Sequence, residues 1–189
     1  MSRIEICGNI ASGKTTLCSN LNSGKIAVFE NFKENPFYID FYSDPITYSF
    51  ETEITFLLQH YHSIKRVKED LLLVCDFSLL LDIAYADVNL SGERHRIFLE
   101  IVDELQKEIG HPSKIIFLTC PVEMLLQRII SRNREVETSI TVDYLRAIEK
   151  AVLFRIREIS IKVPIVTIDS NTIDFRTGIE GIVELKQFN

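Results

Sequence analysis

The sequence predicts an α/β fold in which helices cover both faces of a mostly parallel sheet. Short apolar runs alternate with longer segments of helical periodicity along the whole chain, and this alternation is typical of such sheets. One run, residues 71–75, carries no polar side chain until its last position, as in strands buried on both faces. The chain of 189 residues contains no repeat, linker or low-complexity segment, so residues 1–189 are predicted to form one domain.

Each element follows from a local signal. Strands are predicted at residues 4–7, 26–29, 71–75, 114–119 and 165–168. Helices are predicted at residues 14–21, 46–68, 91–109 and 142 to about 160. Three further helices are predicted: one that begins at residue 79 and carries Asp82, one that begins at residue 121 and runs into Arg128, Arg132 and Arg134, and a last amphipathic helix through Leu185. Ser78 and Thr141 are candidate N-caps, Pro121 suits a first helical position, and residues 31–45 read as a loop.

Composition limits the possible functions. A net charge of −6 argues against a nucleic-acid surface, and no apolar run approaches the roughly 18 residues of a membrane span. The four cysteines show no C-x-x-C or His-Cys ligand spacing, and most lie in apolar runs, which suits a reducing compartment. No signal peptide is recognised, because Glu5 and a glycine-rich motif follow the first residues at once. We therefore expect a cytoplasmic protein without nucleic-acid or membrane partners.

The strongest motif is Gly-Asn-Ile-Ala-Ser-Gly-Lys-Thr at residues 8–15, the P-loop pattern G-x-x-x-x-G-K-[ST]. An apolar run enters it and a helical segment leaves it, which is the context that the motif requires. Its two glycines allow the backbone N–H groups to turn towards phosphate oxygens, at the positive end of the new helix. Lys14 can reach the outer phosphates, and the Thr15 hydroxyl can ligate Mg²⁺.

Two acids stand directly after predicted strands, where a parallel sheet presents its carboxyl edge to ligands. Glu30 follows the second strand and Asp76 ends the third. One carboxylate could act as the base towards an acceptor hydroxyl, and the other could help to hold Mg²⁺. The alternative is that both acids are helix caps without a catalytic duty.

Three arginines, Arg128, Arg132 and Arg134, are spaced to place their guanidinium groups near the end of one helix. Such a cluster can neutralise charge on a transferring phosphoryl group. The alternative is a solvated basic face, which the short run without lysine in an acidic chain makes the weaker interpretation.

The order and spacing of these and further motifs resemble the deoxyribonucleoside kinase family, P-loop enzymes that phosphorylate the 5′-hydroxyl of deoxynucleosides. The resemblance covers nearly the whole chain. Beyond the P-loop the matching stretches are Glu30, Asn35-Pro36, Phe41-Tyr42 with Pro45, Asp76-Phe77-Ser78, Asp82, Arg128 with Arg132, Arg134 and Glu137, Val163-Pro164 through Asp169, and Asp174-Phe175.

The resemblance implies a P-loop NTPase-like three-layer fold with a five-stranded parallel sheet, an arginine-rich lid, ATP and Mg²⁺ as cofactors, and a homodimer. It also implies that Glu30 is the catalytic base, that Tyr42 and Glu137 serve the sugar, and that Asp82 contacts the base. The residues it places at ATP are Gly8, Asn9, Ala11, Ser12, Gly13, Lys14, Thr15, Thr16, Asp174 and Phe175, with Thr15 and Asp76 serving Mg²⁺.

The acceptor side departs from the family pattern. Phe77 stands where the family has an arginine, Glu53 where it has the Gln that reads the nucleobase, and His60 where an arginine commonly helps that Gln. Asn31 replaces a proline. Loss of the arginine predicts slow catalysis with ordinary deoxynucleosides, partly restored by Phe77→Arg. An ionised Glu53 would favour guanine-type bases, unless it turns away to pair with His60 or a lysine.

The sequence therefore predicts ATP-dependent phosphoryl transfer to the 5′-hydroxyl of a nucleoside-like small molecule. One alternative is a nucleoside monophosphate kinase, which would need a basic site for the acceptor's phosphate, yet residues 38–56 contain no lysine or arginine. The other is a nucleotide-binding regulatory protein with weakened catalysis. Phe77 favours that alternative, whereas Glu30 and the three arginines oppose it.

Overall fold

The computed structural model describes residues 2–21, 24–67, 71–178 and 182. Within these residues, five parallel strands form one sheet in the order β2-β3-β1-β4-β5. The strands are β1 (Arg3–Gly8), β2 (Ile26–Val28), β3 (Leu73–Cys75), β4 (Lys114–Thr119) and β5 (Ile165–Asp169). Each lies within two residues of its predicted position, so the five-stranded parallel sheet is confirmed.

Seven α-helices surround the sheet in the described part of the chain. They are α1 (Lys14–Asn20), α2 (Tyr38–Ser43), α3 (Pro45–Lys65), α4 (Leu79–Asn89), α5 (Gly92–Ile109), α6 (Val122–Arg132) and α7 (Val142–Ile159). The side chains of Ser78 and Thr141 accept hydrogen bonds from backbone N–H groups in the first turns of α4 and α7, as predicted for N-caps. None of the described helices combines the length and the apolarity that a membrane span requires.

The period of two along the strands divides the core into two layers. Ile4 and Ile6 of β1 pack with α1 and with Phe175 on one face of the sheet. Cys7 faces the opposite side, where α4 and α7 cover the sheet. Helices therefore cover both faces, which confirms the three-layer α/β/α architecture.

One stretch differs from the sequence-based expectation, and one predicted helix falls where the structure describes almost no residues. Residues 31–45 were expected to be loop, yet they contain a 3₁₀ turn (Phe32–Glu34) and helix α2. Buried Asn35 organises this stretch, because its Nδ2 donates to the Thr52 carbonyl at 3.0 Å and its Oδ1 accepts from the Phe37 N–H at 3.0 Å. The last predicted helix, through Leu185, lies outside the described residues.

A buried ion pair fixes strand β1 against its neighbours. Arg3 Nε lies 2.7 Å from Glu5 Oε1, and both side chains are buried. The guanidinium also donates to the carbonyls of Ile109 and Gly110, and Glu5 Oε2 accepts from the N–H of Leu79 at 3.2 Å. Since Leu79 is the first residue of α4, this pair holds the start of α4 directly beneath the strand that leads into the P-loop.

Candidate active site

The P-loop connects β1 to α1 with the geometry that its glycines allow. Gly13, the N-cap of α1, has φ 100°, a left-handed conformation that favours glycine, and a Cβ there would lie 3.0 Å from the Phe175 ring. A Cβ on Gly8 would lie 2.9 Å from the Leu118 carbonyl oxygen. Both glycines are therefore required by close approach of neighbouring groups, as well as by any phosphate that the loop receives.

Lys14 folds back over this loop. Its Nζ donates to the carbonyl oxygens of Gly8 at 2.9 Å and Asn9 at 3.1 Å, and burial lowers the pKa of its ammonium group. The side chain of Asn9 is held separately, because its Nδ2 donates to the Leu145 carbonyl of α7 at 2.8 Å. Any contact of Asn9 with phosphate would therefore come from its backbone.

The two strand-end acids meet at the carboxyl edge of the sheet. Asp76 Oδ2 accepts from the Thr15 hydroxyl at 2.7 Å, and Asp76 Oδ1 accepts from the backbone N–H of Glu30 at 2.6 Å. One carboxylate thus joins the P-loop to the residue predicted as the base. The N-cap of the helix that follows Asp76 is Ser78, and that of the turn after Glu30 is Asn31, so neither acid occupies the N-cap position.

A deep cavity, here called the acceptor cavity, opens beside these acids and encloses about 840 Å³ of empty space, part of it open to solvent. Its walls come from the P-loop, the ends of β2 and β3, helices α2, α3, α4 and α7, and the segment after α6. All seven residues predicted to bind substrate line it together with Lys14: Glu30, Tyr42, Glu53, His60, Phe77, Asp82 and Glu137.

His60 lies at the centre of one wall and joins two acids. Its Nδ1 lies 2.9 Å from Asp82 Oδ2, and its Nε2 lies 3.2 Å from Glu30 Oε2. Burial alone would lower the pKa of His60, but Asp82 and Glu30 raise it to about 10. His60 is therefore an imidazolium at neutral pH, and it stands where the resemblance implies an arginine.

Phe77 packs flat against this imidazolium. The two ring centroids are 4.0 Å apart with an interplanar angle of 5°, and Phe77 is 1% exposed. Phe56 lies on His60 at 6.0 Å as well. Phe77 therefore supports the His60 ring, and an arginine at this position would place a second positive charge beside the imidazolium. This finding argues against the predicted rescue by Phe77→Arg.

The charges around Glu30 keep it ionised. Burial would raise the pKa of its carboxyl, but the close contact with the charged His60, followed by the charges of Lys14 and Arg134, holds that pKa below its usual value. The pKa of Asp82 lies above its ordinary value, because burial outweighs the attraction of His60. The Glu30 side chain remains 38% exposed, facing the open side of the acceptor cavity.

Glu53 turns into the acceptor cavity, and within the described part of the chain it pairs with neither His60 nor a lysine. Its Oε1 accepts from Asn89 Nδ2 at 2.7 Å, and the same amide group donates to the Tyr144 hydroxyl at 3.0 Å. Burial raises the pKa of Glu53 to about 8. The expectation that Glu53 is ionised when it meets an acceptor therefore does not hold at neutral pH.

The segment after α6, predicted as an arginine-rich lid, is tied down by Glu137. This buried carboxylate lies 2.5 Å from Arg132 Nη2 and 3.2 Å from Arg134 Nη1, and it accepts from the Tyr38 hydroxyl at 3.3 Å. The Arg134 guanidinium also lies over the Phe32 ring, 4.6 Å from its centroid. Tyr38, rather than Tyr42, makes the contact with Glu137, and Tyr42 packs edge-on against Tyr38.

Arg128 has different partners from the other two arginines. Its guanidinium donates to the Ser170 carbonyl at 2.7 Å and to the Ala11 carbonyl at 3.3 Å. A second pocket, here called the donor pocket, has a lining that includes Thr15, Thr16, Arg128, Arg132 and Asp174. Arg132 therefore borders the donor pocket together with Arg128, and it borders the acceptor cavity together with Arg134.

The loop of Asp174 and Phe175, which the resemblance places at ATP, borders this donor pocket. Asp174 is exposed and pairs with Arg176, and its Oδ1 accepts from the Arg176 N–H at 3.0 Å. Phe175 is 4% exposed, and its side chain packs between Gly13 of the P-loop and the apolar residues of the sheet. Asp174 therefore lies in the wall of the donor pocket with its side chain exposed.

Sequence reasoning missed three aromatic residues that line the acceptor cavity, Tyr38 of α2, Phe56 of α3 and Tyr144 at the start of α7. It also missed Asn89 at the end of α4, which lies outside the cavity lining and bonds to Glu53. Asn89 gave no signal, because it looks like an ordinary helix-ending residue. Tyr38 and Phe56 lie at strongly aromatic stretches, and that clustering was the available hint.

Comparisons with known proteins agree with this geometry. The family model described as Deoxynucleoside kinase matches residues 4–187. This chain belongs to the deoxynucleoside kinase family. It is a phosphotransferase of that family, with the fold and the order of motifs that the sequence predicted.

Individual relatives of this kinase fall in two groups by name. A deoxyguanosine kinase of Bacillus subtilis (strain 168) is 26% identical over 182 residues, covering 91% of this chain and 88% of the relative. A deoxyadenosine kinase of Dictyostelium discoideum is 29% identical over 176 residues, covering 89% and 72%.

Solved structures support the fold. A deoxyadenosine kinase from M. mycoides with the products dCMP and a flexible dCDP bound matches with a TM-score of 0.82 at 21% identity, covering 99% of this chain and 100% of that one. The same kinase with bound dATP matches with a TM-score of 0.81 at 22% identity, covering 94% and 95%. At these identities the likeness establishes the architecture of this kinase and nothing finer.

Proposed function

We propose that this kinase transfers the γ-phosphoryl group of ATP to the 5′-hydroxyl of a deoxynucleoside bound in the acceptor cavity. The observation that carries the proposal is the position of Glu30. Its side chain lines the acceptor cavity, while its backbone N–H bonds to Asp76, which in turn accepts from Thr15 of the P-loop. Glu30 therefore lies between the place for the acceptor and the place for the phosphates.

In the proposed reaction, the Glu30 carboxylate takes the proton of the 5′-hydroxyl as that oxygen bonds to the γ-phosphorus. The bond from the γ-phosphorus to the bridging oxygen breaks, and ADP leaves. Lys14 and the loop amides bind the phosphates, for which Lys14 exchanges its two carbonyl partners. Arg132 lines both the acceptor cavity and the donor pocket, and it supplies positive charge next to the transferred group.

The Thr15 hydroxyl and the Asp76 carboxylate fit Mg²⁺, because both present hard oxygen ligands and their oxygens already lie 2.7 Å apart. A kinase Mg²⁺ commonly takes one or two protein oxygens and completes its shell with water and phosphate. The ion would supply charge neutralisation of the phosphates. The chain's own contribution is to hold these two oxygens together beside the P-loop.

Tyr42, Tyr38 and Glu137 form the proposed sugar side of the acceptor cavity, and Glu53 with Asp82 forms the nucleobase side. We further propose that the protein is cytoplasmic and acts as a homodimer, as the family resemblance implies. The four cysteines are buried and unpaired, which suits a reducing compartment.

The proposal is tested by a turnover panel that follows conversion of ATP to ADP with deoxynucleosides, ribonucleosides and nucleoside monophosphates. We expect a 5′-monophosphate product from at least one deoxynucleoside. Turnover with nucleoside monophosphates alone would support a nucleoside monophosphate kinase. Binding of ATP without transfer to any member of the panel would instead support a regulatory nucleotide-binding protein.

A further inference from the structure

Glu53 is held in one orientation by neutral groups from two other helices. Asn89 at the end of α4 uses one N–H of its amide for Glu53 Oε1 and the other for the Tyr144 hydroxyl of α7. Since both hydrogens of the amide are used, its orientation is fixed, and Glu53 Oε1 is fixed with it. Among the hydrogen bonds of the described residues, Glu53 Oε2 takes part in none, and Glu53 lines the acceptor cavity. Oε2 is therefore the atom available to an acceptor.

The acidic side chains near Glu53 oppose its ionisation. The groups that face Glu53 or share its cavity wall are His60 from its own helix, Asp82 and Tyr85 from α4, Tyr144 from α7, Glu30 after β2, and, farther along the cavity, Lys14, Arg132, Arg134 and Glu137. His60 is shared by Glu30 and Asp82, and the two lid arginines pair with Glu137. Glu53 is 5% exposed, and its hydrogen-bond donor is a neutral amide. Burial consequently raises the pKa of Glu53 to about 8.

We propose that Glu53 reads the acceptor's base in two protonation states, and that Asn89 and Tyr144 are the positioning residues that keep Oε2 directed at that base. The proposal deepens the proposed function and rests on it. As a carboxylic acid with its proton on Oε2, Glu53 donates to a ring nitrogen that carries no hydrogen, such as N1 of adenine. As a carboxylate its Oε2 only accepts, which suits a ring N–H such as N1–H of guanine.

The preference between the two purines is therefore set by pH rather than fixed. A ligand that binds the acid form alone loses affinity as the pH rises, and one that binds the carboxylate alone gains it. The ratio of the two affinities changes by about tenfold for each pH unit, so it changes by about 100-fold between pH 6.5 and 8.5. The direction is towards deoxyguanosine at the higher pH.

The test is calorimetric binding of deoxyadenosine and deoxyguanosine to the full chain at several pH values from 6.5 to 8.5. We expect the affinity ratio to change by about 100-fold in the wild-type protein. In Glu53→Gln the ratio should stay constant within about threefold, because an amide does not titrate. The matched control is Glu51→Gln, two residues earlier on the same helix and outside the acceptor cavity, which should keep the wild-type pH dependence.

A further variant tests the positioning role. Asn89→Leu removes the hydrogen bond that favours the carboxylate form, so the pH above which deoxyguanosine affinity becomes constant should rise from about 8. A residue with only a structural role would change both affinities alike and leave that pH in place. Thermal melting of each variant checks that it is folded.

Three results would overturn the proposal. A wild-type ratio that changes by less than about threefold, with both nucleosides bound, would show that Glu53 does not switch. The same pH dependence in Glu53→Gln as in the wild type would assign the titrating group to another residue. Failure of both nucleosides to bind at any pH would overturn the proposed function, and this proposal with it.

Discussion

Replacing Phe77 by arginine would restore the residue type that the family resemblance implies, yet the structure predicts damage rather than rescue. Phe77 is 1% exposed and lies 4.0 Å from the ring of His60, which is charged at neutral pH. Two like charges about 4 Å apart repel by about 4 kcal/mol at an effective dielectric constant of about 20. Neutralising His60 instead, from a pKa of about 10, costs about 4 kcal/mol at pH 7.

Loss of the ring stack adds about 0.5–1.5 kcal/mol, so Phe77→Arg should lower the free energy of unfolding by roughly 4.5–5.5 kcal/mol. That is a large part of the 5–15 kcal/mol typical of whole domains. Urea denaturation followed by circular dichroism measures the loss, and turnover at a temperature where the variant is folded measures the effect on catalysis.

Phe77→Leu is the matched control, because it keeps an apolar side chain and loses the ring, at a cost of about 1–2 kcal/mol. The prediction is refuted if the free energy of unfolding of Phe77→Arg lies within about 1 kcal/mol of the wild-type value and the variant turns over deoxynucleosides faster. That result would mean that a guanidinium fits beside His60 and reaches the phosphates.

Three further predictions follow from the two sites. Lys14→Ala should abolish ATP-dependent turnover with little change in melting temperature, because the lost ammonium group faces the phosphates, whereas wild-type turnover would contradict the P-loop assignment. Glu53→Gln should raise the free energy of unfolding. The native pKa of about 8 exceeds the unfolded value of 4.5, so ionisation favours the unfolded chain from pH 4.5 upward, and the gain should grow until about pH 8. A gain independent of pH, measured by urea titrations, would contradict a buried neutral acid. Glu137→Gln should raise the KM for the acceptor more than that for ATP, because it releases Arg132, Arg134 and Tyr38; equal changes in both would contradict a role on the acceptor side.

The strands and the strand-end acids could be predicted from the sequence because their signals are local. An apolar run that ends in an acid, as in residues 71–76, reports both a buried strand and its carboxyl edge. The P-loop is likewise a contiguous motif, and its glycines fit the turn that the structure contains.

The contacts that shift the pKa values of the site residues could not be predicted from the sequence, because they join segments that are distant along the chain. The shared use of His60 by Glu30 and Asp82 depends on how α3 crosses the sheet edge, and the approach of Asn89 to Glu53 depends on where α4 ends. The three arginines illustrate the same limit. Their spacing placed them near one helix end, but α6 ends at Arg132 and the left-handed Asn133 turns Arg134 towards Phe32, while Arg128 faces Ser170.

The burial of charged side chains could not be predicted from the sequence either. Arg3 lies in a strand, where a charged residue is ordinarily taken as exposed, yet Glu5 and two carbonyl oxygens satisfy its guanidinium in the interior. The expectation that Glu53 is ionised was wrong at neutral pH for the same reason. The burial that raises the pKa of Glu53 results from the packing of the helices around it.

The most direct test of the account is the rate of phosphoryl transfer in Glu30→Gln, with the 5′-monophosphate product quantified by mass spectrometry. The amide keeps the shape of the side chain but cannot take the 5′-hydroxyl proton. We expect unchanged ATP affinity and a turnover rate lower by about 10²–10⁴, the usual contribution of a positioned general base. A variant that binds ATP and forms the 5′-monophosphate at the wild-type rate would contradict the assignment of Glu30, and with it the central claim that the reaction occurs where Glu30 joins the acceptor cavity to the P-loop.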